Sequence, residues 1–292
     1  MVGDCNPDLV LTGGDLVPEF GQREKLVDRA EFTVGGSAAI MACGAARLGL
    51  RTAFVGAVGD DHLGRFMLDA LSERGVDTSS CPVIAAEPTG ITVHLAHAGD
   101  RAQLTVKGAM AALTEAAIPG ELVRSARHLH VSSYYLLDGL RPGLPALARA
   151  ARGAGASVSL NPQADPEERW DADLGGLAAL VDVLFVNEME DAAIDSSGFP
   201  LVVVKRGARG AAARWADGAA EHPGIPAEVI DTTGAGDSFD AGFLASRLAG
   251  EPVEQALALA CACGALSTRA AGGVAAQPTL EDARAALEVV RE

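Results

Sequence analysis

Short apolar runs alternate along the chain with Ala-rich stretches of helical period. Thr52–Val58, His128–Ser132, Ser157–Leu160, Val181–Val186 and Leu201–Lys205 are compact apolar segments, as expected of strands in a covered sheet. Ser37–Leu48, Leu63–Arg74, Gly143–Ala154, Asp237–Leu248 and Val253–Ala270 instead carry helical patterns. This alternation predicts an α/β fold with a mostly parallel central sheet between two helical layers. Ligands in such sheets bind at the carboxyl ends of the strands.

Two regions break the alternation. Leu9–Thr12 and Glu31–Val34 are extended, with a polar Gly/Pro/Glu segment between them. Ile91–His97 and Gln103–Lys107 flank Ala98-Gly99-Asp100-Arg101, a hairpin signal. Together the four segments predict a small accessory sheet over the site. No internal repeat or long linker divides the chain, so residues 1–292 are expected to form one domain. One connection is short: after Asn187–Asp191, only Ala192–Pro200 remains before Leu201–Lys205. A crossover between parallel strands takes a dozen or more residues. The expectation is a deleted crossover helix or about a dozen absent residues, the size of a minimal crossover. The first strand, reduced to Val2, also looks clipped.

Composition narrows the function. The 292 residues are 49% hydrophobic and 21% charged, the balance of a globular protein that needs no staples. Aromatics supply only 4%, so the core falls to Ala, Val and Leu. A net charge of −16 with no basic run argues against nucleic acid. No charge-free apolar stretch is long enough to span a membrane, and Met1-Val2-Gly3-Asp4 does not open a signal peptide, so a cytoplasmic location is expected. Five scattered cysteines suit buried small hydrophobes in a reducing compartment, and Cys261-Ala-Cys263 lacks the second pair a zinc site requires. His94, His97, His128 and His130 read as structural or solvent-facing.

The sharpest chemistry lies in Asp231-Thr232-Thr233-Gly234-Ala235-Gly236-Asp237-Ser238-Phe239-Asp240, which follows an extended segment and opens an amphipathic helix. Gly234-Ala235-Gly236 leaves little side chain at the helix start, so unpaired N–H groups there can face one anion with the helix dipole behind them. Asp237, in the first turn, is placed to take a proton from a hydroxyl attacking a phosphoryl group. No GK[ST] follows, so this is not a Walker loop.

The whole string Asp231–Phe243 resembles the C-terminal signature of the PfkB, or ribokinase-like, carbohydrate kinases. The resemblance implies a three-layer α/β/α ribokinase-like sandwich with a β-sheet lid from about residues 9–34 and 83–107. It implies that Asp237 is the catalytic base and that Gly234, Ala235 and Gly236 form the anion hole. In many members, residues matching Asp231 and Thr233 hold a monovalent cation such as K+. Gly35-Gly36-Ser37-Ala38-Ala39 is similar to the N-terminal glycine signature, although Ile40 stands where many sugar kinases have a sugar-binding Asn. Gly3-Asp4-Cys5-Asn6-Pro7-Asp8 looks like the GxxNxD end of the first strand. Asn6, Asp8, Gly35 and Gly36 are thereby implied as substrate-binding, with Asp8 accepting hydrogen bonds from a vicinal diol.

Asn187-Glu188-Met189-Glu190 is similar to the NxxE motif, which implies Glu190 near Mg2+ through water and Asn187 near nucleotide phosphates. Lys205-Arg206-Gly207-Ala208-Arg209-Gly210 resembles the turn that places the nucleotide, giving Lys205, Gly207 and Gly210 with Gly234 and Gly236 as the implied ATP-binding set. Asn161 and Gln163 stand as pocket wall, and Gly272-Gly273 shapes the adenine and cation side. The expected activity is ATP-dependent phosphorylation of a primary hydroxyl on a sugar. The alternatives are a nucleoside kinase of the same family and a non-catalytic sugar-binding member. The lid segment Thr105–Ala109 lacks the Arg and Tyr of keto-deoxy-gluconate kinases, and Asn6 with Asp8 favours a neutral pentose or hexose. A homodimer through the lid is expected, because an open four-stranded sheet leaves bare edges.

Overall fold

A computed structural model describes residues 1–97, 100–170 and 174–289. In chain order its elements are β1 (Pro7–Thr12), β2 (Arg29–Val34), α1 (Ser37–Arg47), α2 (His62–Glu73), β3 (Ile91–His97), β4 (Asp100–Val106), α3 (Gly120–Ser125), β5 (His128–Ser132) and α4 (Leu144–Gly153). There follow β6 (Ser157–Asn161), α5 (Gly175–Ala178), β7 (Val183–Asn187), α6 (Glu188–Ala193), β8 (Leu201–Lys205), β9 (Ala211–Trp215), β10 (Gly218–His222), α7 (Ala235–Leu248), α8 (Val253–Ser267) and α9 (Leu280–Val289).

The larger sheet runs β10-β9-β8-β7-β6-β5. Strands β5 to β8 are parallel, and β9 and β10 add an antiparallel edge. Successive residues of the parallel strands bury opposite sides. Leu184, Val186, Val202 and Val204 join the core that contains Leu144 and Leu147 of α4. Val183, Phe185, Leu201 and Val203 pack instead with Phe239 and Phe243 of α7 and with α8. Both sheet faces are therefore covered, the environment parallel strands require. The result is the three-layer α/β/α sandwich.

The sheet continues past β5 through single-residue bridges rather than full strands. Val2 bridges both Val131 and Val55, Ala53 bridges Asp77, and Val58 bridges Val83. The regular strand expected over Thr52–Val58 does not form. Gly56 lies where a Cβ would come within 2.6 Å of the Phe54 ring, a close approach that bends the segment.

The crossover from β7 to β8 corrects the sequence reading. Residues 188–200 form it, and α6 begins immediately after the strand. Asn187 caps that helix: its side chain accepts from the Glu190 N–H, while the Glu190 carboxylate accepts from the Asn187 N–H, both at 2.9 Å. Asn187-Glu188-Met189-Glu190 thus forms a capping box that starts a short helix. The crossover helix is present, and the link closes between parallel strands without added residues.

The four extended segments set apart in the sequence pair as a second sheet, β2-β1-β3-β4, with β1 and β3 parallel. Residues 98–99 of the expected hairpin turn and the side chain of His97 lie outside the described residues. The five cysteines are free, four of them buried. No described helix is long and apolar enough to cross a membrane.

Candidate active site

The start of α7 is held by three distant segments. Gly234 has φ 72°, and a Cβ there would lie 2.8 Å from both the Gly273 backbone and the Ile40 Cγ2, so only glycine suits the position. Asp231 fixes the approach: one carboxylate oxygen accepts from the Thr233 N–H and hydroxyl, the other from the Gly272 N–H, each at 2.8 Å. The first intrahelical bond runs from the Ser238 N–H to the Gly234 carbonyl at 2.9 Å. The Gly236 and Asp237 N–H groups precede it and are left for an anion. The Ala235 N–H turns back to the Thr232 carbonyl at 3.2 Å.

Ile40 is 3% exposed and packs on Gly234 and Gly273, so its side chain backs the turn at the start of α7.

Asp237 is buried beside this turn. Its Oδ1 accepts from the Ser37 hydroxyl at 2.5 Å and lies 3.3 Å from the donating Gln163 Nε2. Burial pushes its pKa up to about 7; the Ser37 hydrogen bond and Lys205 oppose the rise, while Asp240 and Asp4 add to it. One helical turn on, Asp240 is fully buried and accepts at Oδ2 from Lys205 Nζ at 3.0 Å and Asn161 Nδ2 at 2.6 Å. Its Oδ1 is buried without a hydrogen-bond partner. Burial lifts Asp240 to about 6 against the pull of Lys205. Burial also works against the Lys205 ammonium, yet Asp240, Glu190 and Asp237 together keep its pKa above the ordinary value.

The Gly35-Gly36 pair adjoins Asp237 through Ser37. Asp4 accepts from the Ser37 and Ala38 N–H groups at 2.9 Å and so anchors the start of α1. Gly35 lies so close to Asp8 that a Cβ would overlap its carboxylate. Asn6 Nδ2 donates to the Thr92 hydroxyl at 3.1 Å. Asn6, Asp8, Gly35 and Gly36 therefore converge, and Ser37 links them to Asp237. His94, read as structural or solvent-facing, is buried with Nε2 3.1 Å from Asp8 Oδ2 and Nδ1 3.2 Å from Gln103 Nε2. It backs the carboxylate rather than facing solvent.

Beyond the anion turn lies a largely apolar cavity of 420 Å³. Lys205, Gly207, Gly210 and Gly236 line it, with Phe239 and Ala265 among its walls. Asn187 and Glu190 are not part of this lining: both serve the α6 capping box, and Glu190 is 2% exposed. Glu190 reaches the cluster electrostatically, through Lys205. Among the described residues, no group of three or more His, Cys, Asp or Glu is arranged to hold a metal ion.

Residues 1–280 match the family described as pfkB family carbohydrate kinase. The chain belongs to this family. The pfkB kinase is 35% identical over 291 residues to the ATP-dependent ribose-1-phosphate kinase of Halopiger xanaduensis, covering 96% of this chain and 94% of that protein. It is 34% identical over 281 residues to a fructokinase of Klebsiella pneumoniae, covering 87% and 91%. Its fold is that of the probable sugar kinase protein from Rhizobium etli, with a TM-score of 0.85 at 23% identity over 99% of this chain and 97% of the other. The Arabidopsis thaliana ribokinase complexed with ribose and ATP gives 0.82 at 24% identity over 98% and 97%. The protein is a carbohydrate kinase of the sugar and nucleoside kinase group.

Sequence alone does not tie several groups of this pfkB kinase to Asp237 and Asp240. Asp240 carried a signal: three residues after Asp237, it shares the same helix face. Ser37 lay inside the glycine signature, and Asn161 and Gln163 at a strand end, but nothing local says that they meet Asp237 and Asp240. Asp4 and His94 act only through tertiary contacts.

Proposed function

We propose that the protein transfers the terminal phosphoryl group of ATP to a primary hydroxyl of a sugar, with Asp237 as general base. The observation that carries this reading is the position of the Asp237 carboxylate. It stands in the first turn of α7 beside the free N–H groups of the anion turn, and Ser37, which directly follows Gly35-Gly36, donates to it. A carboxylate lifted by burial to about 7 is a stronger base than an ordinary aspartate, and near neutral pH it is still substantially ionised. The hydroxyl proton passes to Asp237 as the oxygen attacks phosphorus. The N–H groups of Gly236 and Asp237 then meet charge gathering on the transferred group.

The apolar cavity beside Gly207 and Gly210 suits a purine, with Lys205 at its phosphate end; relatives named as ATP-dependent or bound to ATP support the donor. Mg2+ takes most of its ligands from phosphates and water, so Glu190 acting through water is a sufficient protein contribution. The ion would neutralise charge on the phosphates. Asp231 and Thr233 would sit beside a monovalent cation under the anion turn. The sheet β2-β1-β3-β4 serves as the lid over Asp8 and excludes water. Its exposed Leu104 and Val106, with Phe20 and Leu26 in the segment between β1 and β2, favour pairing of two lids in a homodimer.

Asn6 and Asp8 favour a pentose or hexose, in keeping with relatives named as ribokinase, fructokinase and ribose-1-phosphate kinase. An ATP-consumption screen over sugars, sugar phosphates and nucleosides identifies the acceptor. With that acceptor, Asp237→Asn is expected to lower kcat by roughly 10²–10⁴ while nucleotide affinity holds. Turnover within a few-fold of wild type would remove Asp237 from the role.

A further inference from the structure

Every hydrogen bond to the Asp237 carboxylate falls on one oxygen. Ser37 Oγ gives its single proton to Oδ1. Ser132 Oγ, 2.7 Å from Ser37 Oγ, must then be the donor in that pair. Gln163 Nε2 donates to Ser37 Oγ at 2.7 Å and approaches Asp237 Oδ1 at 3.3 Å. A carboxylate can only accept, which fixes the Gln163 amide with its NH₂ toward Asp237. Among the described residues, none donates to Oδ2.

The segment that delivers Gln163 is strained. Gln163 has φ 60°, in the left-handed region that favours glycine or Asn. Its N–H donates to Asn161 Oδ1 at 3.1 Å, and Asn161 Nδ2 holds Asp240. At the neighbouring strand end, Ser133 has φ 62° and donates its N–H to the Asn161 carbonyl at 3.0 Å. Such conformations persist only where their surroundings over-determine them, and they gather at functional sites. The gain from this one is the reach of a Gln amide, which a less strained Asn at the same place would lack.

We infer that Gln163 and Ser37 are positioning residues for phosphoryl transfer, pinning Oδ1 of Asp237 so that Oδ2 alone faces the acceptor hydroxyl. The inference rests on Asp237 being the base. An unpinned carboxylate rotates about its Cβ–Cγ bond and spends part of its time misdirected. In the step itself, the hydroxyl proton moves to Oδ2. The hydroxyl oxygen bonds to the terminal phosphorus of the nucleoside triphosphate, and the nucleoside diphosphate leaves with the electrons of the broken P–O bond. The Ser37 bond also favours the ionised form of the base, alongside Lys205 and against Asp240 and Asp4.

Steady-state kinetics on the intact protein test this. Gln163→Asn suits the backbone but falls short of Asp237. It is expected to keep or raise Tm, leave KM for ATP unchanged and lower kcat about tenfold. Ser37→Ala is expected to move the acid limb of the kcat profile up by about one pH unit, the size of one hydrogen bond to a charge. Ser37→Thr, which keeps the hydroxyl, returns the limb to its wild-type position. A kcat within twofold for Gln163→Asn, a loss that merely follows Tm, or an unmoved acid limb in Ser37→Ala overturns the inference. Asp237→Asn, run in parallel, separates this from the assignment of the base: full activity there removes both, whereas its loss with an unaffected Gln163→Asn removes only the clamp.

Discussion

Replacing Lys205 with Met takes away the cation that buried Asp240, Glu190 and Asp237 share while keeping the length of the side chain. In the wild type, Lys205 Nζ stands 3.0 Å from Asp240 Oδ2, and Asp240 titrates at about 6, above its ordinary 3.8 because burial outweighs the lysine. A carboxylate raised in this way weakens the fold as pH climbs from the unfolded value to the folded one, since the native state holds the proton longer. Without Lys205 the folded value rises further, so the weakening continues beyond the point where the wild type has levelled off. Below about pH 5.5 Asp240 is protonated in both proteins, and this contribution vanishes. Above pH 6 the gap opens by about 1.4 kcal/mol per unit, reaching about 1.4 kcal/mol at pH 7 and about 2.7 kcal/mol at pH 8. Proton uptake keeps the loss at pH 7 below the roughly 3–5 kcal/mol of a stranded buried charge. With the unfolding entropy usual for a chain of this length, the expected fall in Tm is about 2 °C at pH 7 and about 4 °C at pH 8. Thermal unfolding at the three pH values, with and without the substitution, measures it. A deficit that is constant with pH, or largest in acid, would refute the electrostatic account of this cluster.

Asp8→Ala is expected to weaken sugar binding by roughly 1.5–3 kcal/mol, the usual loss of a charged hydrogen bond, without touching ATP binding. Calorimetry showing equal sugar affinity would place the acceptor elsewhere. Light scattering is expected to give a dimer, and Leu104→Glu on the exposed face of β4 to shift it toward monomer; a monomeric wild type at assay concentration would contradict lid pairing.

The layered fold was legible because its parallel strands are continuous apolar runs and its long helices keep their period. The β9–β10 hairpin was not. Ala211–Trp215 and Gly218–His222 are rich in Ala, and their strand pairing comes from β9 lying against β8 and β10 against β9 rather than from their own composition. The crossover helix was hidden for a different reason: at six residues, Glu188–Ala193 is too short to show a helical period. In the site, Asp237 and its glycine turn declare themselves because they are contiguous. The Ser37–Gln163 and Lys205–Asp240–Asn161 pairings join residues far apart in sequence, and no local pattern encodes them. Ile40 packs on the turn at Gly234, a contact that its place in the glycine signature does not encode.

That packing has a consequence for the order in which the molecule comes together. The turn at Gly234 is wedged between Ile40, from near the beginning of the chain, and Gly273, from near its end, and Asp231 reaches Gly272. Helix α7 can wind with its neighbour α8 from local contacts alone, but the anion turn has no such local template. Loop closure over about 190 residues, from Ile40 to Gly234, must precede its final shape. During synthesis the β6–β8 core can settle while the turn at Gly234 stays unformed until Gly273 has left the ribosome. Nascent chains halted before that point should be structured and yet unable to bind the phosphate.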